Sequence, residues 1–214
     1  MIQYKTFTFY LIEEHTYLLW DETGEACVVD AGMYRDEERE EFDRFLKDHH
    51  LRLTRAIHTH LHFDHFIGAK WIEETYGVKP EAPQIDIDNK IQLSSRHIQM
   101  QNEIGQVVVS TTLHPLPEEG GEVKFGNSTL KILSVPGHTP GHAAFYSREA
   151  GLVIAGDVLF RGDIGRTDLW KGDYRQLLDS IHTRLFTLPS DTKVLPGHGP
   201  ETTIGEERAT FRYS

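Results

Sequence analysis

The sequence predicts an α/β sandwich in which two β-rich layers carry helices on their outer faces. Three observations predict it. Short apolar runs such as Val28-Val29 and Leu152-Val153-Ile154-Ala155 alternate with segments of helical spacing. The two halves echo one another, each passing from a strand pair through a strand ending in Asp (Asp30, Asp157) and a helix to a strand ending in His (His60, His198). No Ser- or Gly-rich linker divides the 214 residues, so residues 1–214 read as one domain.

Tyr4 to Ile12 and Tyr17 to Trp20 are rich in aromatic and branched residues, broken by Glu13-Glu14-His15, and read as a strand pair. Ala26 to Val29 is a buried strand ending in Asp30-Ala31-Gly32. From Asp36 to Leu53 the spacing is helical: Phe42, Phe45, Leu46 and Leu53 share a side, and Glu37, Glu38, Glu40 and Glu41 sit near the start, where the helix dipole favours acids. Arg55 to His58 is a short strand, followed by the loop Thr59 to His65 and a helix through Gly68, Trp71 and Ile72. Between Pro80 and Glu119 the pattern is thin. It holds a polar helix-like stretch from Asp88 to Ile104, and the segment from Glu81 to Glu119 is expected to shape a pocket. Val123 to Val135 reads as a hairpin turning at Gly126-Asn127 and leading into Pro136-Gly137-His138-Thr139-Pro140-Gly141-His142. Ala143 to Tyr146 and Leu152 to Ala155 form a strand pair that stops at Gly156-Asp157. Tyr174 to Phe186 has helical spacing through Leu177, Leu178, Ile181 and Leu185, and Lys193 to Leu195 is a last strand before Pro196-Gly197-His198-Gly199-Pro200.

Composition narrows the function. Hydrophobic residues at 38% and charged residues at 26%, gathered in runs, exclude disorder as the main state. With 22 Lys and Arg against 33 Asp and Glu, the net charge of −11 and the lack of a basic stripe argue against a nucleic-acid partner. No stretch approaches the roughly 18 consecutive apolar residues of a membrane span, and Met1 to Lys5 opens no charged-then-apolar leader, so a soluble cytoplasmic protein without a membrane partner is expected. The lone Cys27, inside Ala26-Cys27-Val28-Val29, fits a small packed hydrophobe in a reducing compartment. The oligomeric state is left open.

Thirteen histidines stand against that one thiol, and His60, His62, His65, His138, His142 and His198 fall in three short segments. Imidazole and carboxylate suit borderline divalent metals, and His60, His62, Asp64 and His65 together exceed what one tetrahedral ion uses. Two ions are implied, held roughly 3.5–4 Å apart by a bridging carboxylate, for which Asp157 is the natural candidate. His138 and His198, each beside Pro and Gly that fix a tight loop, offer the remaining positions. A purely structural zinc site would be closed and rich in cysteine, whereas this set has no thiolate and an open bridging position. His15, His49, His50, His58, His97, His114 and His182 are read as ordinary surface or core residues. His142 is read as support rather than a ligand, and Asp30 either as a turn residue or as a partner of a ligand histidine.

The run His60-x-His62-x-Asp64-His65, followed by His138, Asp157 and His198, resembles the HxHxDH motif and later ligands of the metallo-β-lactamase superfamily over nearly the whole chain. The resemblance implies a four-layer αββα sandwich with the metal site at one edge of the two sheets. It implies one ion on His60, His62 and His138, a second on Asp64, His65 and His198, and Asp157 between them. Two zinc ions are the expected cofactors, with iron or manganese as alternatives. Gly156-Asp157-Val158-Leu159-Phe160 and Gly165-Arg166-Thr167-Asp168 are similar to the short relatives of glyoxalase II, which implies a hydroxyacylglutathione hydrolase-like enzyme acting on a small-molecule thioester. Arg166 stands where glyoxalase II has a basic residue for its substrate. Asp168 stands where a tyrosine is expected, and the chain ends 16 residues after His198 without that family's C-terminal helical domain, so glutathione itself is not implied.

Such a site, with a hydroxide between its ions, keeps about one positive charge and favours an oxyanion. Asp64 is the expected catalytic side chain, accepting the proton of that hydroxide. A thiolate leaves from a thiol of pKa about 8.5 and needs less protonation than an amine, so a site built from ligands alone suits thioesters. Other activities stay open: an iron-dependent persulfide dioxygenase with one ion on His60, His138 and Asp157, a lactonase or other ester hydrolase, phosphodiester cleavage (disfavoured by the charge), and a metal-binding scaffold without catalysis.

Overall fold

A computed structural model describes residues 1–9, 12–91 and 110–213. Its first sheet runs in the order β1 (Gln3–Phe9), β2 (Glu14–Trp20), β3 (Glu25–Val29), β4 (Arg52–Ile57), β5 (Pro80–Ala82) and β6 (His114–Pro115). β1, β2 and β3 pair antiparallel, and β3 to β6 pair parallel. Helix α1 (Asp36–Asp48) connects β3 to β4, the short α2 (Phe63–Phe66) and α3 (Ala69–Tyr76) connect β4 to β5, and α4 (Gln84–Asp88) follows β5. The second sheet is built from β7 (Glu122–Phe125), β8 (Ser128–Ser134), β9 (Ala143–Ser147), β10 (Leu152–Gly156), β13 (Lys193–Pro196) and β14 (Thr202–Thr203) in that spatial order, with only β10 and β13 parallel. β11 (Leu159–Phe160) and β12 (Asp163–Ile164) form a small hairpin, α5 (Tyr174–Ser180) precedes β13, and α6 (Ile204–Thr210) follows β14.

The layers follow from the two-residue period of a strand, which sends neighbouring side chains to opposite faces. Tyr17, Leu19, Cys27 and Val29 of the first sheet meet Phe145, Leu152 and Ile154 of the second between the sheets. Their neighbours Leu18, Ala26 and Val28 face the other way, onto Phe42 and Leu46 of α1 and Ile72 of α3. Val153, Ala155 and Val194 turn outward onto Leu177 of α5, Ile181, Leu185 and Ile204 of α6. The result is the αββα sandwich.

Boundaries differ from the sequence expectation in several places. Ile12, expected in the first strand, lies in a turn, and the loop expected from Thr59 to His65 becomes helical at Phe63, so Asp64 and His65 sit in α2. The helix expected to reach Leu53 ends at Asp48, because His50 adopts a left-handed backbone (φ 54°) and the Leu51 N–H turns back to the Leu46 carbonyl at 2.9 Å. Leu53 lies in β4 and packs into the same apolar cluster as Phe42 and Leu46, which is why its spacing looks continuous with theirs. Glu14 and His15, read as a break, are the first residues of β2. The helix from Tyr174 gives way after Ser180 to a π-helical turn over Ile181–Leu185. Of the helix expected from Asp88 to Ile104, residues 92–104 lie outside the described residues, as do residues 10 and 11 of the first expected strand and His97. Among the described residues no helix is long and apolar enough to cross a membrane.

The chemistry-bearing segments follow strand ends, where ligands gather in open α/β sheets. Asp30 follows β3, His58-Thr59-His60 follows β4, Asp157 follows β10 and His198 follows β13. The two sheets are joined at this edge: the His15 N–H donates to the Gly197 carbonyl at 2.8 Å, and the buried Tyr17 hydroxyl donates to the Pro196 carbonyl at 2.6 Å.

Candidate metal centre

Seven side chains converge at that edge. His60, His62 and His138 form one triad and Asp64, His65 and His198 another, and all of them except His198 are buried. In the first, His62 Nδ1 lies 3.1 Å from His60 Nε2 and 2.8 Å from His138 Nε2. In the second, Asp64 Oδ2 lies 3.5 Å from His65 Nε2 and 3.4 Å from His198 Nε2. Asp157 stands between them. Its Oδ1 is 3.5 Å from His65 Nε2, and its Oδ2 is 3.5 Å from His138 Nε2 and 3.6 Å from His198 Nε2.

The far side of each ring fixes which nitrogen faces inward. His65 Nδ1–H donates to Asp30 Oδ2 at 3.0 Å, His138 Nδ1–H to the Arg166 carbonyl at 2.7 Å, and His198 Nδ1–H to the Ile12 carbonyl at 3.1 Å. These oxygens can only accept, so in the neutral rings Nε2 carries a lone pair toward the centre. The Thr59 hydroxyl, 3.0 Å from His60 Nδ1, passes its own proton to Asp30 Oδ2 at 2.8 Å, which gives His60 the same orientation. His62 is turned the other way and presents Nδ1.

The electrostatics call for a cation at this point. Burial pulls His65 down, but Asp157, Asp64 and Asp30 outweigh it and hold the ring well above an ordinary imidazole. Burial opposes ionisation of Asp157, yet His65, His138 and His198 hold it well below the usual carboxylate range. Burial drives His60 and His138 down, and His62 to about 3, so these rings are neutral and available as ligands. Among the described residues, His65 Nε2 and Asp157 Oδ1 are buried without a hydrogen-bond partner, an arrangement that costs on the order of 1–3 kcal/mol per group unless something else binds them. Two ligand atoms on a tetrahedral ion with bonds of 2.0–2.1 Å sit about 3.3 Å apart. The separations of 2.8 to 3.6 Å across the two triads fit that spacing, so the residues present suit two divalent ions.

Arg166 contributes its backbone to this arrangement, through the bond to His138; its exposed guanidinium forms a two-pronged pair with Asp168 at 2.7 and 2.8 Å. His142 stacks on His60 (4.7 Å between ring centres) and its Nε2 accepts the Asp157 N–H at 3.1 Å. The imidazole thus supports Asp157 and His60, and Asp30 resolves as the partner of His65. Sequence reasoning gave no role to Thr59 or to the fully buried Asp86. The position of Thr59 directly before the motif was a signal for the first. For Asp86 the signal was faint: a Pro83-initiated helical turn straight after a strand.

Gly165 follows the β11–β12 hairpin and lies so close to the ligand loop that a Cβ there would drive into the Asp157 carbonyl oxygen and come within 3.4 Å of His138 Nδ1. Gly165→Ala should therefore cost about 3 kcal/mol of stability, as overpacking against rigid backbone does. Urea denaturation measures it, and a value within about 0.5 kcal/mol of the parent would contradict this packing.

A sequence profile described as the metallo-beta-lactamase superfamily matches residues 12–198. The chain is 34% identical over 201 residues to a probable metallo-hydrolase, YqgX, of Bacillus subtilis, covering 94% of this chain and 88% of that protein. It is also 34% identical over 198 residues to the hydroxyacylglutathione hydrolase GloC of Haemophilus influenzae, covering 92% and 90%. Among solved structures, TTHA1623 in a di-iron-bound form superposes with a TM-score of 0.79 at 32% identity, over 96% of this chain and 98% of that one. Ligand-type residues gathered at the carboxyl ends of strands, an αββα sandwich, and a profile match from Ile12 to His198 lead to one conclusion: the chain belongs to the metallo-β-lactamase superfamily.

Proposed function

We propose that this metallo-hydrolase is a thioesterase of the glyoxalase II type, cleaving a small S-acyl thiol at a dinuclear centre. The observation that carries the reading is Asp157, a carboxylate with one oxygen toward His65 and the other toward His138 and His198. The likeness to the Haemophilus influenzae hydroxyacylglutathione hydrolase supports the choice of substrate class. One ion would rest on His60, His62 and His138, the other on Asp64, His65 and His198, with Asp157 shared; zinc is the metal we assign, iron and manganese being the alternatives. Ions so placed supply Lewis acidity and bring the pKa of water from 15.7 to about 7.

Asp64, held ionised by His65 and His198 against the cost of burial, accepts a proton from the attacking water and orients it. Outside their own set, the seven residues hydrogen-bond among the described residues to Thr59, Asp30, His142 and backbone carbonyls, and none of these is an acid set aside for the leaving group, Asp30 being held by His65 and Thr59. A thiolate, from a thiol of pKa about 8.5, leaves without one, whereas an amine does not. Arg166, released from Asp168, contacts the substrate at the rim. The reading needs a small-molecule partner and neither nucleic acid nor membrane.

Elemental analysis of the purified protein with a panel of thioesters, lactones, β-lactams and a thiol persulfide tests this. Two equivalents of metal and the highest kcat/KM on a thioester are expected, lost on chelation and regained on adding the ions back. A single iron with oxygen uptake on the persulfide, or faster turnover of a lactone or β-lactam, would replace the proposal.

A further inference from the structure

The two loops that carry the first triad meet at their bases through an ordinary backbone bond, from the Ala143 N–H to the Thr59 carbonyl at 2.8 Å. Their tips are joined differently. Asp86, in the first turn of α4, reaches in from outside both loops and is fully buried. Its Oδ2 accepts from the Leu61 N–H at 3.3 Å, between His60 and His62, and from the Thr139 hydroxyl at 2.8 Å, next to His138. Its Oδ1 accepts from the Gly141 N–H at 2.7 Å. A Cβ on Gly141 would stand 2.7 Å from both that Oδ1 and the Asp86 backbone nitrogen, so the absence of a side chain there admits the carboxylate.

From this geometry we infer that Asp86 is a positioning residue for the metal centre, a carboxylate that ties the His60–His62 loop to the His138 loop and sets the separation of their three ring nitrogens. None of these three bonds goes to one of the seven ligand side chains. An isolated buried carboxyl is an unfavourable choice for packing alone, since an apolar residue would fill the space without needing donors. Three donors from two ligand loops converge on its two oxygens, and both loops keep their spacing only while all three are accepted. Asn has the same shape but one acceptor oxygen and one NH2 group. Whichever way the amide is turned, its NH2 opposes a backbone N–H, of Gly141 in one orientation and of Leu61 in the other.

The inference rests on the metal-binding reading of the triads and not on the substrate. It is tested on the full chain by chelator competition with Zn2+, alongside thermal unfolding of the metal-free protein. For Asp86→Asn the ion held by His60, His62 and His138 should bind about 10- to 100-fold more weakly, the range seen when a group supporting a ligand is removed. The ion held by Asp64, His65 and His198 should be nearly unaffected. Thr139→Val, which removes one of the three bonds, should weaken the same ion by a smaller factor, and the two substitutions should combine non-additively in affinity because they share a bond. Unchanged affinity for both ions with a lower metal-free melting temperature would show that Asp86 only stabilises α4, and would overturn the inference. Should Asp86→Asn fail to fold, Thr139→Val decides by the same criterion. Two ions bound normally by the parent protein but equally by the variants would sink this inference alone, whereas a parent that binds fewer than two would sink the dinuclear reading.

Discussion

Asp157→Ala should lower kcat/KM on a thioester by about a thousand-fold, the equivalent of about 4 kcal/mol of transition-state stabilisation from a metal centre. The two carboxylate oxygens lie within 3.6 Å of ring nitrogens in both triads, those of His138 in the first and of His65 and His198 in the second. Its removal takes away one of the two carboxylates, Asp157 and Asp64, whose charge acts on His65, His138 and His198 alike. Metal content should fall below two equivalents in the same preparation, while the sandwich core, which Asp157 does not join, keeps the variant folded. Turnover equal to that of the parent would mean that the centre has no part in catalysis and would favour a metal-binding scaffold.

The second large effect is expected one step behind the ligands. Asp30 holds a left-handed backbone (φ 55°), a conformation that Asn also tolerates, so Asp30→Asn should fold. The carboxylate accepts three protons: from the Thr59 N–H at 2.7 Å, the Thr59 hydroxyl at 2.8 Å and His65 Nδ1–H at 3.0 Å. An Asn that keeps the Thr59 N–H bond turns its NH2 toward His65 Nδ1. The ring must then give up the Nδ1 proton that leaves Nε2 free for a metal. Affinity for the ion on Asp64, His65 and His198 should drop about 10- to 100-fold. Competition with a chromophoric chelator measures the drop, and NMR of the His65 ring nitrogens reports the tautomer. Affinity within a factor of two of the parent, with Nδ1 still protonated, would remove Asp30 from the orientation of His65.

Much of the centre was legible because metal chemistry restricts side-chain types. Few residues besides His and Asp supply oxygen and nitrogen ligands for such a centre, and seven of them occur in the segments that follow apolar strand runs. The fold was legible for a related reason: Leu18 beside Leu19, or Val153 beside Ile154, marks a strand buried on both faces, and such strands need cover on each side. Boundaries were less legible. Leu53 packs with the helix that precedes its strand, and periodicity alone cannot separate two elements that bury into one cluster.

The amino-acid sequence alone thus determined the layered architecture and the chemical character of the centre, since burial and ligand preference are properties of residue types in order along the chain. Tertiary structure alone decided how the pieces act together: that Asp157 turns one oxygen to His65 and the other to His138 and His198, that the carbonyls of Arg166 and Ile12 hold His138 and His198, and that Asp86 reaches both ligand loops. Every residue carries a backbone carbonyl, and any short helix can start with an acid, so neither announces a partner. Distance and direction assign those roles, and they exist only once strands far apart in sequence lie side by side.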